Sequence, residues 1–333
     1  MYTALAPVTL KSGERVEFGV VAAPDADWSA RLQKLLLHKD DIWQWQNTEL
    51  LTTPVGIEPY FYILHRGGKP FANIMTAEYR GVGLFGHVWT DEADRGQGAS
   101  SSIMAQQMEH FRSRGGKALY LGTGFDGVPY RMYAKLGFVG IEDGSGSMTW
   151  TPGPKAHFEA DYFAKGPATV SPLDWTHWPT SSPLFASALP GVVRSSNLRL
   201  LGRTLTEGPF LPVIRDERKR RADGAAPRAI ALAKDDNGAV VGFAMLEVHP
   251  AWPDAKQLDL WCHPDFWDRA PELIAPLGLA TAGRTIAYGD AETPLRNRAL
   301  KAAGFHAIGT LPKFVAADVM KKRLVDVIVY DHG

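Results

Sequence analysis

One order of segments can be read twice along this chain of 333 residues: a hairpin, a strand, a helix, a strand, a second helix and a last strand. In the first half, YFYILHRGGKPFANIMTAEY is two strand-like runs turning at Gly67-Gly68, and GLFGHVWT is a further strand. GASSSIMAQQMEHFRSRGG is helical, with Ile103, Met104, Met108 and Phe111 on one face and Gly115-Gly116 as its stop. KALYLGT, VPYRMYAKLG and FVGIE then read as strand, short helix and strand. The second half repeats the plan. RAIALAKDDNGAVVGFAMLEV turns at Asn237-Gly238, QLDLWCHP is a strand, and DFWDRAPELIAPLGLATAGR (265–284) is helix-like. TIAYGD, TPLRNRALKAAG and FHAIGTL close it as strand, helix and strand. A repeat of this length implies a duplicated unit. The predicted fold is α/β, more closely an α+β mixed sheet. It comprises two tandem domains, each a mostly antiparallel twisted sheet flanked by helices. The Pro- and Gly-rich run TPGPKAHFEADYFAKGP marks the joint, giving domains 1–155 and 156–333. Ahead of the first hairpin, RVEFGVVAA reads as a strand, and DADWSARLQKLLLHK as a helix capped by Asp25 or Asp27.

Composition removes several classes of function. Acidic and basic residues balance at 36 each, so no net charge draws the chain to nucleic acid or to an anionic membrane. The basic cluster RDERKRR (215–221) is interrupted by acids and reads as a solvated helix end. The single cysteine, Cys262, cannot form an internal disulfide and reads as a buried apolar residue. The sequence has neither a secretory leader nor an apolar run long enough to span a bilayer, which sets a cytoplasmic expectation.

Chemistry concentrates in DRGQGASSS, from Asp94 to Ser102, between a strand and a helix. Glycines after an arginine at a helix start offer bare N–H groups to an anion. A nucleotide P-loop would need a lysine followed by Ser or Thr, which RGQGASS lacks. Gly122, Gly124 and Gly127 have the G-x-G-x-x-G spacing, with Glu142 about twenty residues on, as in a dinucleotide-binding oxidoreductase. The helix they open is short for that unit, and no further βα units follow.

The stretch from Val88 to Phe138 resembles the GNAT superfamily of N-acetyltransferases, and the element order extends the resemblance over residues 10 to 150 or so. The family's phosphate loop, Arg/Gln-x-x-Gly-x-Gly/Ala, is met by Arg95-Gly96-Gln97-Gly98-Ala99-Ser100, with Ser100 departing from the last position. Its short helix ending Tyr-x-x-x-Gly-Phe is met by Tyr133-Ala134-Lys135-Leu136-Gly137-Phe138. The resemblance implies tandem GNAT-like domains and an acyl-CoA co-substrate, acetyl-CoA first, with no metal. Its pyrophosphate would lie on the N–H groups of Gly96, Gln97, Gly98, Ala99, Ser100 and Ser101, flanked by Arg95. Backbone groups of Val88, Trp89 and Thr90 would pair with the pantetheine arm. Asp126 stands where many relatives carry an asparagine that touches the cofactor. Tyr133 is the matched general acid for the departing thiolate, and Glu78 and His87 are candidate bases.

In the second half FWDRAPE falls where DRGQGAS sits, and Leu300 where Tyr133 sits. That half is therefore expected to be a degenerate copy that braces the first and walls the acceptor cleft. Trp43 and Trp45 beside Asp40, Asp41 and Glu49 suit a cationic amine. A small-molecule amine is the expected acceptor, and no nucleic-acid or membrane partner is expected. Two alternatives share the fold: a non-catalytic CoA-binding or interaction protein, and an enzyme with another acyl donor or an oxygen acceptor.

Overall fold

A computed structural model describes residues 1–279 and 283–333. The chain divides into two compact units, Met1–Val139 with Met148–Pro152, and Gly140–Ser147 with Gly153–Gly333. The fold is mixed α/β, with a large mixed sheet in each half and helices flanking it.

The first half runs β1 (Tyr2–Thr9), β2 (Arg15–Ala22), α1 (Ala26–Leu35), α2 (Asp41–Thr52), β3 (Glu58–Arg66), β4 (Lys69–Tyr79), β5 (Val82–Thr90), α3 (Ala99–Ser113), β6 (Ala118–Gly122), α4 (Val128–Lys135), β7 (Val139–Gly140) and β8 (Ser147–Trp150). Its eight strands are ordered β1-β2-β3-β4-β5-β6-β8-β7. Pairing is antiparallel from β1 to β5 and parallel between β5 and β6. Asp25 is the cap of α1: its carboxylate accepts from the N–H groups of Asp27 and Trp28, both at 3.0 Å. One sheet face is covered by α3, whose Ile103, Met104, Met108 and Phe111 are all buried with Phe18, Tyr62, Leu64, Ile74 and Phe85. Each such side chain contributes roughly 1.5–3 kcal/mol when fully buried. This apolar stripe fixes the start of α3, and so the place of the glycine loop.

The second half runs α5 (Lys155–Tyr162), β9 (Ala168–Pro172), α6 (His177–Ala186), β10 (Val193–Ser195), β11 (Leu200–Leu201), α7 (Glu207–Ala222), β12 (Ala229–Lys234), β13 (Val240–Val248), β14 (Lys256–Cys262), α8 (Ala270–Ile274), β15 (Thr285–Asp290), α9 (Pro294–Ala302), β16 (His306–Ala316) and β17 (Leu324–His332). Its main sheet is ordered β16-β17-β15-β14-β13-β12-β9, and β14 with β15 is its parallel pair. Elements β3 to β6 therefore have counterparts in β12 to β15, each set holding one parallel pair in the same place. The basic cluster falls at the end of α7.

Two expectations need correction. The run 265–284 is not one helix. Pro264 to Arg269 is a 3-10 turn, α8 has five residues, and Ala275 to Leu277 is a second 3-10 turn, while residues 280–282 lie outside the described residues. Pro264, Pro271 and Pro276 remove backbone donors at intervals too short for a regular helix. The run FVGIE also shrinks to the two-residue β7.

Candidate functional site

The loop after β5 is shaped by two glycines. Gly96 and Gly98 have φ of +78° and +83°, the left-handed region that other residues enter at a cost. No side chain caps α3 at Gly98, so the N–H groups of its first turn point outward without an intrahelical acceptor. Arg95 donates to the Thr90 carbonyl at 3.2 Å, pairs with Glu92 at 3.3 Å, and lies 4.8 Å from the centre of the Trp89 ring. Thr90 and Ser100 share a hydroxyl hydrogen bond of 3.0 Å across the mouth of the loop.

These residues line a cleft of about 590 Å³. It gathers Val88, Trp89, Thr90, Arg95, Gly96, Gly98, Ala99, Ser100 and Ser101, and adds Lys11, Asp94, Val128 and Met132. The cleft opens where the β5–β6 ladder ends. That ladder pairs Val82 to Leu84 with Ala118 to Tyr120, although β5 runs on to Thr90. A β-bulge turns this end of β5 against β4: between the pairs Asn73–Trp89 and Met75–Gly86, two residues, His87 and Val88, face Ile74 alone. His87 takes φ +53°, and the Asn73 amide holds its carbonyl at 3.0 Å.

The other sequence-derived candidates are placed elsewhere. Gln97 is not a lining residue, and its carbonyl accepts from the Lys11 N–H at 3.0 Å. Asp126 is exposed beside Arg131, at 3.2 Å, with φ +51°, and does not line the cleft. Glu78 pairs in register with Gly83, at the end of β4 remote from the loop. Its carboxylate is buried and receives two hydrogen bonds from Arg114, at 2.8 and 2.9 Å, and one from Thr76 at 2.6 Å. Burial raises its pKa against the pull of Arg114.

His87 lies on the bulge but is not among the residues lining the cleft, and its ring is edge-on to Trp43 of α2 with ring centres 5.4 Å apart. Burial lowers its pKa to about 3, so the ring is neutral at neutral pH. Tyr133 is buried in the core, edge-on to Phe85 at 5.5 Å. The cleft wall is formed instead by Val128 and Met132 of the same helix. The run DDIWQWQNTEL forms most of α2. Among the described residues no cluster of His, Cys, Asp and Glu could hold a metal ion, and no helix is long and apolar enough to cross a membrane.

Lys11, Val128 and Met132 were not singled out from the sequence. For the latter two, helical spacing from Val128 to Met132 put both on one face of α4 and could have found them. Lys11 comes from the β1–β2 turn, and nothing local in the sequence ties that turn to the loop.

The second half treats the equivalent place differently. The β14–β15 ladder also stops after three pairs, Lys256 to Leu258 with Thr285 to Ala287. Beyond it, the next residue of β14, Asp259, accepts from the N–H groups of Ser196 and Asn197 at 2.9 and 3.0 Å and from the Ser195 hydroxyl. Asp290, at the end of β15, accepts from the N–H groups of Val192 and Val193, both at 2.9 Å, and pairs with the buried Arg296 at 3.0 Å. The chain's own segment 192–197 thus binds to both strands just past the point where they cease to pair. The segment after β14, in the place of the glycine loop, is the 3-10 turn Pro264 to Arg269, which contains no glycine.

No family model and no curated protein matches the chain. Solved structures similar to part of it include the ribosomal-protein-S5-alanine acetyltransferase of Vibrio fischeri, at 12% identity over 51% of this chain and 94% of that one, with a TM-score of 0.38. A GNAT-family acetyltransferase of Bacillus anthracis is 12% identical over 50% and 95%, with a TM-score of 0.34. A structure from Salmonella typhimurium with its cofactor acetyl-CoA is 15% identical over 50% and 94%, with a TM-score of 0.35.

Proposed function

We propose that the first half is an acyl-CoA-dependent N-acyltransferase, with acetyl-CoA as donor and a small amine as acceptor. The observation that carries this reading is the cleft. It joins an uncapped helix start, two glycines in the left-handed region and Arg95 to the stretch of β5 that β6 leaves unpaired. The first three suit a diphosphate, by N–H donation and by charge. The open edge of β5, past the end of the β5–β6 ladder, offers backbone groups to an extended, amide-bearing arm. The co-substrate supplies an activated acyl thioester, and the residues would hold and polarise it.

In this reading the loop N–H groups and Arg95 anchor the diphosphate, and Val88, Trp89 and Thr90 align the arm. An N–H on the bulged stretch stabilises the developing oxyanion, while Tyr133 protonates the thiolate. The acceptor gives up its proton to water. Arg114 already occupies Glu78, and with a pKa of about 3 His87 is a weak base. The experiment is coenzyme A release from acetyl-CoA over a panel of small amines. Turnover that depends on an amine is expected. Binding without turnover would support the second reading, a CoA-binding protein without catalysis, which the core packing of Tyr133 favours. The dinucleotide reading loses ground, since α4 has eight residues and leads only to a two-residue strand.

A further inference from the structure

The β1–β2 turn reaches the glycine loop from a distant part of the sequence. The Lys11 N–H donates to the Gln97 carbonyl at 3.0 Å, and the Lys11 stem passes over the loop, with Cε 3.7 Å from where a Gly98 Cβ would stand. Its ammonium makes no ion pair among the described residues, yet Lys11 lines the cleft. The acids nearby are already engaged. Arg66 bonds Glu14 of the turn at 2.7 and 2.8 Å and Asp94 of the loop at 2.8 and 3.2 Å, so one guanidinium ties turn to loop. Asp94 itself lines the cleft, and without Arg66 its charge would oppose an incoming anion.

Resting on the donor reading above, we infer that Lys11 is a phosphate-binding residue of this cleft, held over the loop by the Arg66 bridge. The site then has two side-chain cations, Arg95 from the strand side and Lys11 from the turn, in one cleft with the helix N–H groups. Such a site discriminates by charge. It would favour donors that carry a diphosphate over acyl-pantetheine fragments that lack one. Arg66 is a positioning residue: it fixes the turn and cancels Asp94.

The test is calorimetry at low salt with acetyl-CoA and with S-acetylpantetheine, using wild type, Lys11→Ala, Lys11→Arg, Arg66→Ala and the pair Arg66→Ala with Asp94→Asn. Lys11→Ala should weaken acetyl-CoA binding about five- to tenfold, the size of one charge-assisted hydrogen bond at an exposed site. It should leave S-acetylpantetheine unchanged. Lys11→Arg should restore affinity to within about twofold, because the charge returns. Arg66→Ala should weaken binding, and adding Asp94→Asn should recover part of the loss, a rescue that a purely structural role would not give. An affinity for acetyl-CoA within twofold of wild type in Lys11→Ala overturns the inference while leaving the donor reading intact. Equal losses for both ligands overturn it too. A wild-type protein that binds no acetyl-CoA overturns both.

Discussion

Single side chains set which proton transfers this site can support. If Tyr133 is the general acid, Tyr133→Phe removes the proton and keeps the ring. Single-turnover acyl transfer should then fall by about 10²-fold, the low end for general acid catalysis because a thiolate leaves readily, with acetyl-CoA affinity unchanged. A rate within twofold of wild type would return Tyr133 to a packing role, alongside Phe85 and Phe138. His87 gives a different readout. Burial lowers its pKa from 6.5 to about 3, so the folded state resists the proton that the unfolded chain accepts. Its stability is complete above pH 6.5 and is lost as pH falls toward 3, by about 1.4 kcal/mol per pH unit. His87→Asn, which tolerates the positive φ, should flatten that acid limb in denaturant titrations of the first unit. An unchanged limb would mean that His87 is protonated in the fold. Glu78 shows the limit of reading single residues from sequence. Its strand was legible, but its partner Arg114 lies 36 residues away, and only the fold brings them together.

At the level of elements, the features that position the cleft were partly legible. The α3 stripe was read correctly because Ile103, Met104, Met108 and Phe111 keep helical spacing without interruption, and the structure buries all four. Helix α2 was obscured because its buried face carries Gln46 and Asn47 beside Leu50 and Leu51, which blurs the apolar period. Strand β1 escaped notice because Pro7 cannot donate and its pairing shifts between Leu5 and Val8. With it went the β1–β2 turn and Lys11. The bulge on β5 left no sequence signal either, since histidine rather than glycine takes the positive φ. The Asn73 amide ties it down by donating to the His87 carbonyl. Asn73→Ala should free the bulge, lowering kcat by about tenfold if the oxyanion donor lies there, with little change in donor affinity. A matching loss of affinity and rate would instead place the bulge in binding alone.

The whole molecule is two versions of one plan with opposite treatments of the same feature. Each half has a parallel strand pair whose ladder stops after three residue pairs. In the first half the gap adjoins a glycine loop and an uncapped helix. In the second, Asp259 and Asp290 hold the chain's own segment 192–197 beside it. The similar strand order of the two halves was legible from the repeated hairpins and glycine turns, whereas this closure was not, because its carboxylates lie more than 60 residues from the N–H groups they bind. One donor site per chain is therefore expected, in the first half. Calorimetric titration of the full chain with acetyl-CoA tests this most directly. Binding with a stoichiometry of one, abolished by Arg95→Glu in a variant that keeps the wild-type melting profile, is the predicted result. Absence of binding, a stoichiometry of two, or an affinity indifferent to Arg95→Glu would contradict it.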